Sequence, residues 1–324
     1  MILEVTPSPA PKPIPSDGLL SDLYHGLDQR PRTLPSKYLY DARGSELFAE
    51  ICELPEYYLT RSDIALTRQY APEISAQMGS RARLVELGVG EGTKTEILLE
   101  SLQNLHSYLP IDISAAPLKR CVGRLRRRFP DLSIHPLRAD YTKALSLPRD
   151  RRHGRTLFYY PGSTIGNFHP PQAREFLARI ADLAGPRGAM LVAVDLAKDA
   201  PILEAAYNDA AGVTAQFNLN LIDRINRELD LDLDRQAFFH HAVYRPEQMR
   251  VEMQLISRRK QRIELPKGEF SLHEGEPIIT EFCYKYSIEG FASLAEQARW
   301  RTRSLWIDQQ HRFSLWMLEH APLQ

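Results

Sequence analysis

The stretch Leu84-Val85-Glu86-Leu87-Gly88-Val89-Gly90-Glu91-Gly92-Thr93-Lys94-Thr95 constrains the fold of this 324-residue chain more than any other. An apolar strand runs there into alternating glycines and then into the start of a helix. Glycine accepts the left-handed backbone that so sharp a turn needs, and its missing side chain lets a ligand approach the main chain. Such a turn lies beyond the carboxyl ends of a parallel sheet's strands, where open α/β folds bind nucleotide-like ligands. The spacing departs from the dinucleotide fingerprint, because the third glycine of G-x-G-x-x-G would fall at Thr93. Glu86 and Glu91 flank the turn, and carboxylates at that place repel a pyrophosphate. A cationic ligand without phosphates is the better electrostatic match.

Two further strand ends support a nucleoside-like ligand. Leu109-Pro110-Ile111-Asp112-Ile113-Ser114 ends in a carboxylate about 20 residues after the glycines, the offset of a ribose-binding acid. Asp112 is therefore expected to accept from ribose hydroxyls, with capping of the helix that begins near Ala115 as the alternative. Further on, Ile134 to Arg138 leads into Ala139-Asp140-Tyr141, where an acid followed by an aromatic suits an adenine amino group and its ring.

The order of elements predicts an α/β fold. Strands at Ser107 to Ile113, Leu132 to Leu137, Arg155 to Tyr160 and Ala189 to Asp195 alternate with helices at Ala115 to Arg128 and Pro171 to Leu183, the pattern of a parallel sheet with right-handed crossovers. Pro161-Gly162-Ser163 ends one strand in a turn and puts Thr164 to Asn167 at the ligand edge. Helices at Leu19 to Leu27 and Gly44 to Glu53 precede the first strand, joined by the polar, Pro-containing Arg30 to Lys37. From Pro201 the pattern changes to a long helical stretch, Ile202 to Leu229, then Phe238 to Tyr244 and the strand-like Arg250 to Arg258 and Gln261 to Leu265. That region reads as an insertion, because a helix at Tyr286 to Ala298 and strands at Thr302 to Ile307 and Phe313 to Glu319 then complete the sheet. The expected organisation is a mobile Pro-rich tail over 1–18, N-terminal helices over 19–60 packing with the insertion, a ligand-binding core over 61–198, a substrate-binding α+β insertion over 199–285, and closing elements over 286–324.

Composition narrows the partners. Lys plus Arg and Asp plus Glu both number 41, so the formal charge of zero gives no support for nucleic acid or an anionic membrane. Arg120, Arg124, Arg126, Arg127 and Arg128 form the one basic concentration, which helical spacing spreads over a solvated face. Cys52, Cys121 and Cys283 lack C-x-x-C spacing and fit a reducing compartment. No metal is expected, since the adjacent His240 and His241 rarely share a ligand-facing side. No apolar run approaches the roughly 18 residues of a membrane span, and Met1 to Gly18 lacks the blocks of a signal peptide. A cytoplasmic monomer acting on a small molecule is expected.

The Glu-x-Gly-x-Gly-x-Gly of Glu86 to Gly92 resembles the first motif of Rossmann-like methyltransferases, which makes S-adenosyl-L-methionine the cationic ligand. Four longer stretches point further: Lys37-Tyr38-Leu39-Tyr40-Asp41-Ala42-Arg43-Gly44-Ser45-Glu46-Leu47-Phe48, Leu54-Pro55-Glu56-Tyr57-Tyr58-Leu59-Thr60-Arg61, Gly162-Ser163-Thr164-Ile165-Gly166-Asn167 and Ala206-Tyr207-Asn208-Asp209. In this order, and over nearly the whole chain, they resemble the histidine Nα-methyltransferase family of ergothioneine biosynthesis. The resemblance implies a class I S-adenosylmethionine-dependent fold with an inserted substrate domain. It also implies successive methylation of the α-amino nitrogen of L-histidine to the trimethylated betaine hercynine. Carried over by position, Gly88, Lys94, Asp112, Asp140 and Tyr141 look like cofactor contacts, together with Glu86 and Gly90 of the turn. Tyr57, Asn167, Tyr207, Met253 and Glu281 look like the substrate pocket, and Tyr40 would sit near the reacting amine.

Physical chemistry gives those roles content. Asn167 and Tyr207 are neutral donors suited to a substrate carboxylate, while Glu281 and Tyr57 suit imidazole nitrogens. Taken singly, Glu281 reads by default as a solvated or strand-end acid and Tyr57, Tyr207 and Met253 as core residues rather than ligands, while Asn167 reads equally as a turn residue. The chain departs from the family where Cys283 stands two positions after Glu281 in place of the usual Ser, leaving ring recognition with a weaker partner. Methylation of another amino acid or of a histidine derivative stays open, as does a catalytically silent cofactor-binding module. An NAD oxidoreductase is disfavoured by the missing third glycine.

Overall fold

A computed structural model describes residues 16–90, 92–102, 105–148, 154–266 and 268–321. The expected tail over 1–18 falls mostly outside them, and Glu91 does too; residues 16–18 already belong to the first helix. That helix, α1 (Ser16–Asp28), buries Leu19, Leu23 and Leu27, one per turn. A short strand β1 (Arg32–Thr33) leads to α2 (Ala42–Glu53), whose N-cap Asp41 accepts from the Gly44 N–H at 2.8 Å. The long α3 (Tyr58–Met78) then precedes β2 (Arg83–Leu87).

From β2 the chain alternates through α4 (Thr93–Ser101), β3 (Ser107–Asp112), α5 (Ala115–Arg128), β4 (Leu137–Arg138), β5 (Thr156–Tyr160), α6 (Pro170–Ala184) and β6 (Ala189–Asp195). Next come α7 (Ala200–Ala205), α8 (Val213–Leu229), β7 (Phe238–Arg245), β8 (Arg250–Ser257), β9 (Gln261–Leu265), β10 (Gly268–Leu272) and β11 (Pro277–Tyr284). The chain closes with α9 (Ile288–Gln297), β12 (Trp300–Ile307) and β13 (Phe313–His320).

Among the described residues the core sheet has the order β12-β13-β6-β5-β2-β3-β4. Its strands β2 to β6 are parallel and β13 runs antiparallel to β6, a Rossmann-like sheet closed by an antiparallel pair. Every residue of β2, β5 and β6 is buried, as a parallel sheet covered on both faces requires. One face packs Leu84, Tyr108 and Leu191 with Leu66 and Ile74 of α3 and Leu98 of α4; the other packs Val85, Phe158 and Tyr160 with Phe176 of α6 and Phe291 of α9. The sheet direction switches beside β2, so the glycine turn and the ends of β3, β5 and β6 share one edge.

A second sheet, β1-β11-β8-β7, stands apart from the core sheet. The N-terminal elements join it: β1 pairs with β11, Asn220 and Arg227 of α8 donate to the Asp41 carboxylate at 2.8 and 2.5 Å, and Arg224 donates to the Tyr38 carbonyl at 2.9 Å.

Several elements differ from the sequence expectation. The strand over Leu132 to Leu137 shrinks to β4 and one bridge between Tyr108 and Ile134, because Pro136 interrupts it and has no N–H to donate. The helix over Ile202 to Leu229 breaks into α7 and α8, since the Asp209 carboxylate accepts from the Val213 and Thr214 N–H groups, both at 2.8 Å, and starts a new helix. Pro277 to Tyr284 forms a central strand that its local sequence did not announce.

Candidate active site

At the core-sheet edge, Gly88, Gly90 and Gly92 take φ values of 80°, 49° and 72°, the left-handed region where side chains are strained. The Gly88 N–H donates to the Ile111 carbonyl at 2.8 Å, tying the turn to β3. Asp112 accepts from the Val89 N–H at 3.1 Å and the Ser114 N–H at 2.7 Å, which fixes its carboxylate beside the turn. Burial pushes that carboxyl above its usual range against the pull of these donors. The Tyr141 hydroxyl lies 3.4 Å from where a Cβ on Gly88 would be, and its ring meets Tyr160 edge-on at 5.8 Å. A Cβ on Gly90 would meet nothing within 4 Å, so the turn borders open space. Asp140 accepts from the Thr142 N–H and hydroxyl at 3.0 and 2.5 Å, which holds its carboxylate at the start of the Tyr141 turn. Lys94 pairs with the Asp63 carboxylate at 3.2 Å and sits against Gly162 of the loop after β5.

Glu86 is placed differently from its sequence reading. Strand alternation turns it toward α4, where it is 1% exposed and accepts from the Thr95 hydroxyl at 2.7 Å and from Tyr108. Burial pushes its carboxyl up to about 7. Glu86 thus braces the turn from beneath and does not line the crevice, and the described acid beside the open space is Asp112.

The second sheet supplies side chains instead. Along β11, Phe282 and Tyr284 pack against His169 and Arg250, so the alternate residues Glu281, Cys283 and Lys285 share the opposite face. A bulge sets this register: Ile279 opposes Gln254, Glu281 opposes Met253, and Thr280 is the extra residue. Its hydroxyl donates to the Asn218 side chain at 2.6 Å. The bulge brings Glu281 onto the face of Met253, which is 2% exposed. Asn167, in the loop after β5, donates to the Glu281 carboxylate at 3.4 Å.

Tyr207 arrives from the break between α7 and α8. Asn208 donates to the Ala242 carbonyl and accepts from its N–H, both at 2.8 Å, while His240 Nε2 donates to the Tyr207 carbonyl at 2.7 Å. So pinned, the Tyr207 hydroxyl lies 2.8 Å from Cys283 Sγ. Tyr57 meets Tyr207 edge-on at 6.1 Å and Phe48 at 6.2 Å; Tyr40 meets Phe48 and Phe217, each at 5.4 Å. Burial, reinforced by Glu281 at Tyr40 and by Tyr207 at Tyr57, holds both phenols far above their usual range, so they stay neutral. The Tyr40 carbonyl accepts from the Ser114 hydroxyl at 3.4 Å, two residues past Asp112, and this contact joins the two halves of the site.

A family model described as histidine-specific methyltransferase, SAM-dependent, matches residues 19–320. The chain belongs to the SAM-dependent histidine-specific methyltransferases. It is 36% identical over 305 residues to a histidine N-alpha-methyltransferase of Mycolicibacterium smegmatis, covering 93% of this chain and 94% of that protein. A histidine N-alpha-methyltransferase of Mycobacterium tuberculosis is 37% identical, with 92% and 93% covered. The ergothioneine biosynthesis protein 1 of Neurospora crassa is 30% identical over 76% of this chain and 30% of its own length.

The methyltransferase also holds a buried network that the sequence reading missed. Lys285 donates to the Asp195 carboxylate at 2.7 Å, to the Tyr207 hydroxyl oxygen at 3.0 Å and to Cys283 Sγ at 3.1 Å. Asp195, at the end of β6, also accepts from the Tyr58 hydroxyl at 2.8 Å and from Lys198 at 2.6 Å. Burial pushes Lys198 down to about 8 despite the pull of Asp195. Extending the alternation Glu281, Cys283 by one step would have found Lys285. Among the described residues no cluster of His, Cys, Asp or Glu could hold a metal ion, and no helix is long and apolar enough to cross a membrane.

Proposed function

We propose that this methyltransferase transfers methyl groups from S-adenosyl-L-methionine to the α-amino nitrogen of L-histidine, successively to hercynine, as a step of ergothioneine biosynthesis. The observation that carries the reading is the single face bearing Glu281, Cys283 and Met253, with Asn167, Tyr207, Tyr57 and Tyr40 around it, joined to the glycine edge through Ser114. The names of the mycobacterial relatives favour the same substrate.

The open space over Gly90, the flat contact surface of Tyr141 beside Gly88 and the anchored Asp112 carboxylate suit a cationic nucleoside cofactor. Gly88, Gly90 and Asp112 would hold it, with Asp140 and Tyr141 at the base and Lys94 on the rim. When bound, the cofactor supplies an electrophilic methyl carbon to a neutral amine. The protein's task is then alignment, the largest contribution available to a direct displacement.

Glu281 accepts from an imidazole N–H, with Tyr57 at the other ring nitrogen. Asn167 keeps a second amide N–H besides the one it gives Glu281, and this proton together with the Tyr207 hydroxyl holds the substrate carboxylate. Tyr40, kept neutral by burial, accepts from an amine N–H and turns the nitrogen lone pair toward the methyl group. No residue need act as a base, because the α-ammonium group loses its proton readily beside a cation. Tyr40→Phe is expected to slow the transfers that start from an amine still bearing N–H; normal rates for all three transfers contradict that role.

Incubation with S-adenosylmethionine and each of the twenty amino acids, followed by mass spectrometry, tests the function. Gains of one, two and three methyl groups on histidine alone are expected. Gains confined to another amino acid overturn the substrate, and no gain on any of them overturns catalysis.

A further inference from the structure

Lys285 lies one residue beyond β11, and its side chain is fully buried, as is that of Asp195. A buried ammonium is costly unless its protons find acceptors and its charge finds a partner. Here its three protons are matched by three acceptors, the Asp195 carboxylate, the Tyr207 oxygen and Cys283 Sγ. Asp195 is itself rigid, because it is anchored by its own N–H to the Ser163 hydroxyl at 2.8 Å and by Tyr58 and Lys198. The ammonium is therefore clamped between the end of the core sheet and the face of the second sheet.

The clamp dictates the polarity of Tyr207. A phenol oxygen that accepts from an ammonium must send its own proton elsewhere, and the neighbour within reach is Cys283 Sγ at 2.8 Å, a weak acceptor. A carboxylate is a far stronger one. The same cation also offsets charge in a pocket that contains the buried Glu281 and would admit a second carboxylate with the substrate.

We propose that Lys285 is a positioning residue for recognition of the substrate α-carboxylate: it occupies the acceptor side of Tyr207, forces the phenol to donate, and is held in place by Asp195. The inference rests on the reading of Tyr207 as a carboxylate contact. It makes the pocket selective for an amino acid over the corresponding amine.

The test is a double-mutant cycle read by calorimetry on the full chain with S-adenosylhomocysteine bound. Wild type, Lys285→Met, Tyr207→Phe and the double variant are titrated with L-histidine and with histamine, which lacks the carboxylate. Each single change is expected to weaken histidine roughly 10- to 100-fold, the cost of a hydrogen bond to a charged group. Histamine should change less than about threefold, and the double variant should match Tyr207→Phe within about the same factor. Unchanged histidine affinity in Tyr207→Phe would refute the reading of Tyr207 itself. Weak histidine binding by Tyr207→Phe combined with normal binding by Lys285→Met overturns the role of Lys285 alone. So do penalties that multiply in the double variant, and so does equal loss of histidine and histamine. Should Lys285→Met fail to fold, Lys285→Gln replaces it: a neutral amide predicts the same selective loss at smaller size, and equal loss of both ligands contradicts the proposal.

Discussion

Where the core sheet meets the ligand edge it offers mostly backbone, three left-handed glycines and the N–H groups that hold Asp112. Where the second sheet and the break before α8 meet the same edge they offer buried side chains, Glu281, Cys283 and Tyr207, set by a bulge and a helix break, with the half-buried Asn167 of the loop after β5 beside them. Backbone can host a ligand common to many enzymes, because any side chain is tolerated except one that fills the space. Side chains whose polar groups are buried discriminate, because a wrong ligand leaves them unpaired. One molecule thus divides its labour, with a generic half for the cofactor and a selective half for the substrate.

Exchanging effects between the halves would break this division. The largest effect is expected for Glu281→Ala, which should lower kcat/KM for histidine by about 100-fold, the cost of losing a buried charged partner, and leave S-adenosylhomocysteine affinity unchanged by calorimetry. Equal losses of both ligands would erase the distinction. Asp112→Ala should do the converse and weaken cofactor binding by roughly tenfold, with histidine specificity among amino acids retained in a competition assay.

Two smaller effects sharpen the comparison through stability. Gly92→Ala adds a Cβ at φ 72° that would meet Cys121 Sγ at 2.6 Å. A left-handed alanine costs about 1–2 kcal/mol, and thermal melting should fall accordingly, whereas Ala at Gly90 meets no neighbour and should add only the backbone strain. Burial raises Glu281 from 4.5 to about 7, with Lys285 pulling it back down. The folded state therefore holds this proton more tightly than the unfolded chain, so the Glu281 contribution to stability is full below about pH 4.5 and is lost as pH rises through about 7. Glu281→Gln should accordingly melt higher than wild type at pH 8, with the gap closing toward pH 4.5; a gap that widens on acidification has the wrong sign.

The generic half was legible because its signals are local. Glycines, a strand and a helix start stand within one stretch, and Asp112 and Tyr141 end their own short segments. Glu86 was misread for want of pleat parity: with Leu84 it faces α4, while Val85 and Leu87 face the other way. The helix α3 escaped because it places Asp63 and Thr67 at buried positions, which blurs the apolar stripe. The selective half was legible only through resemblance to a family. Nothing near Glu281 in sequence announces that Thr280 is bulged, since the bulge exists only against Gln254 and Met253 of β8. The partnership of Lys285 with Asp195 joins two sheets and has no local trace.

The most direct test of the division is a crystal structure with S-adenosylhomocysteine and L-histidine bound together. The imidazole is predicted against the Glu281 carboxylate, the substrate carboxylate against Asn167 and Tyr207, and the α-amine facing the sulfur above Gly90. A histidine ring remote from Glu281, with that carboxylate still turned to Asn167 alone, would contradict the account.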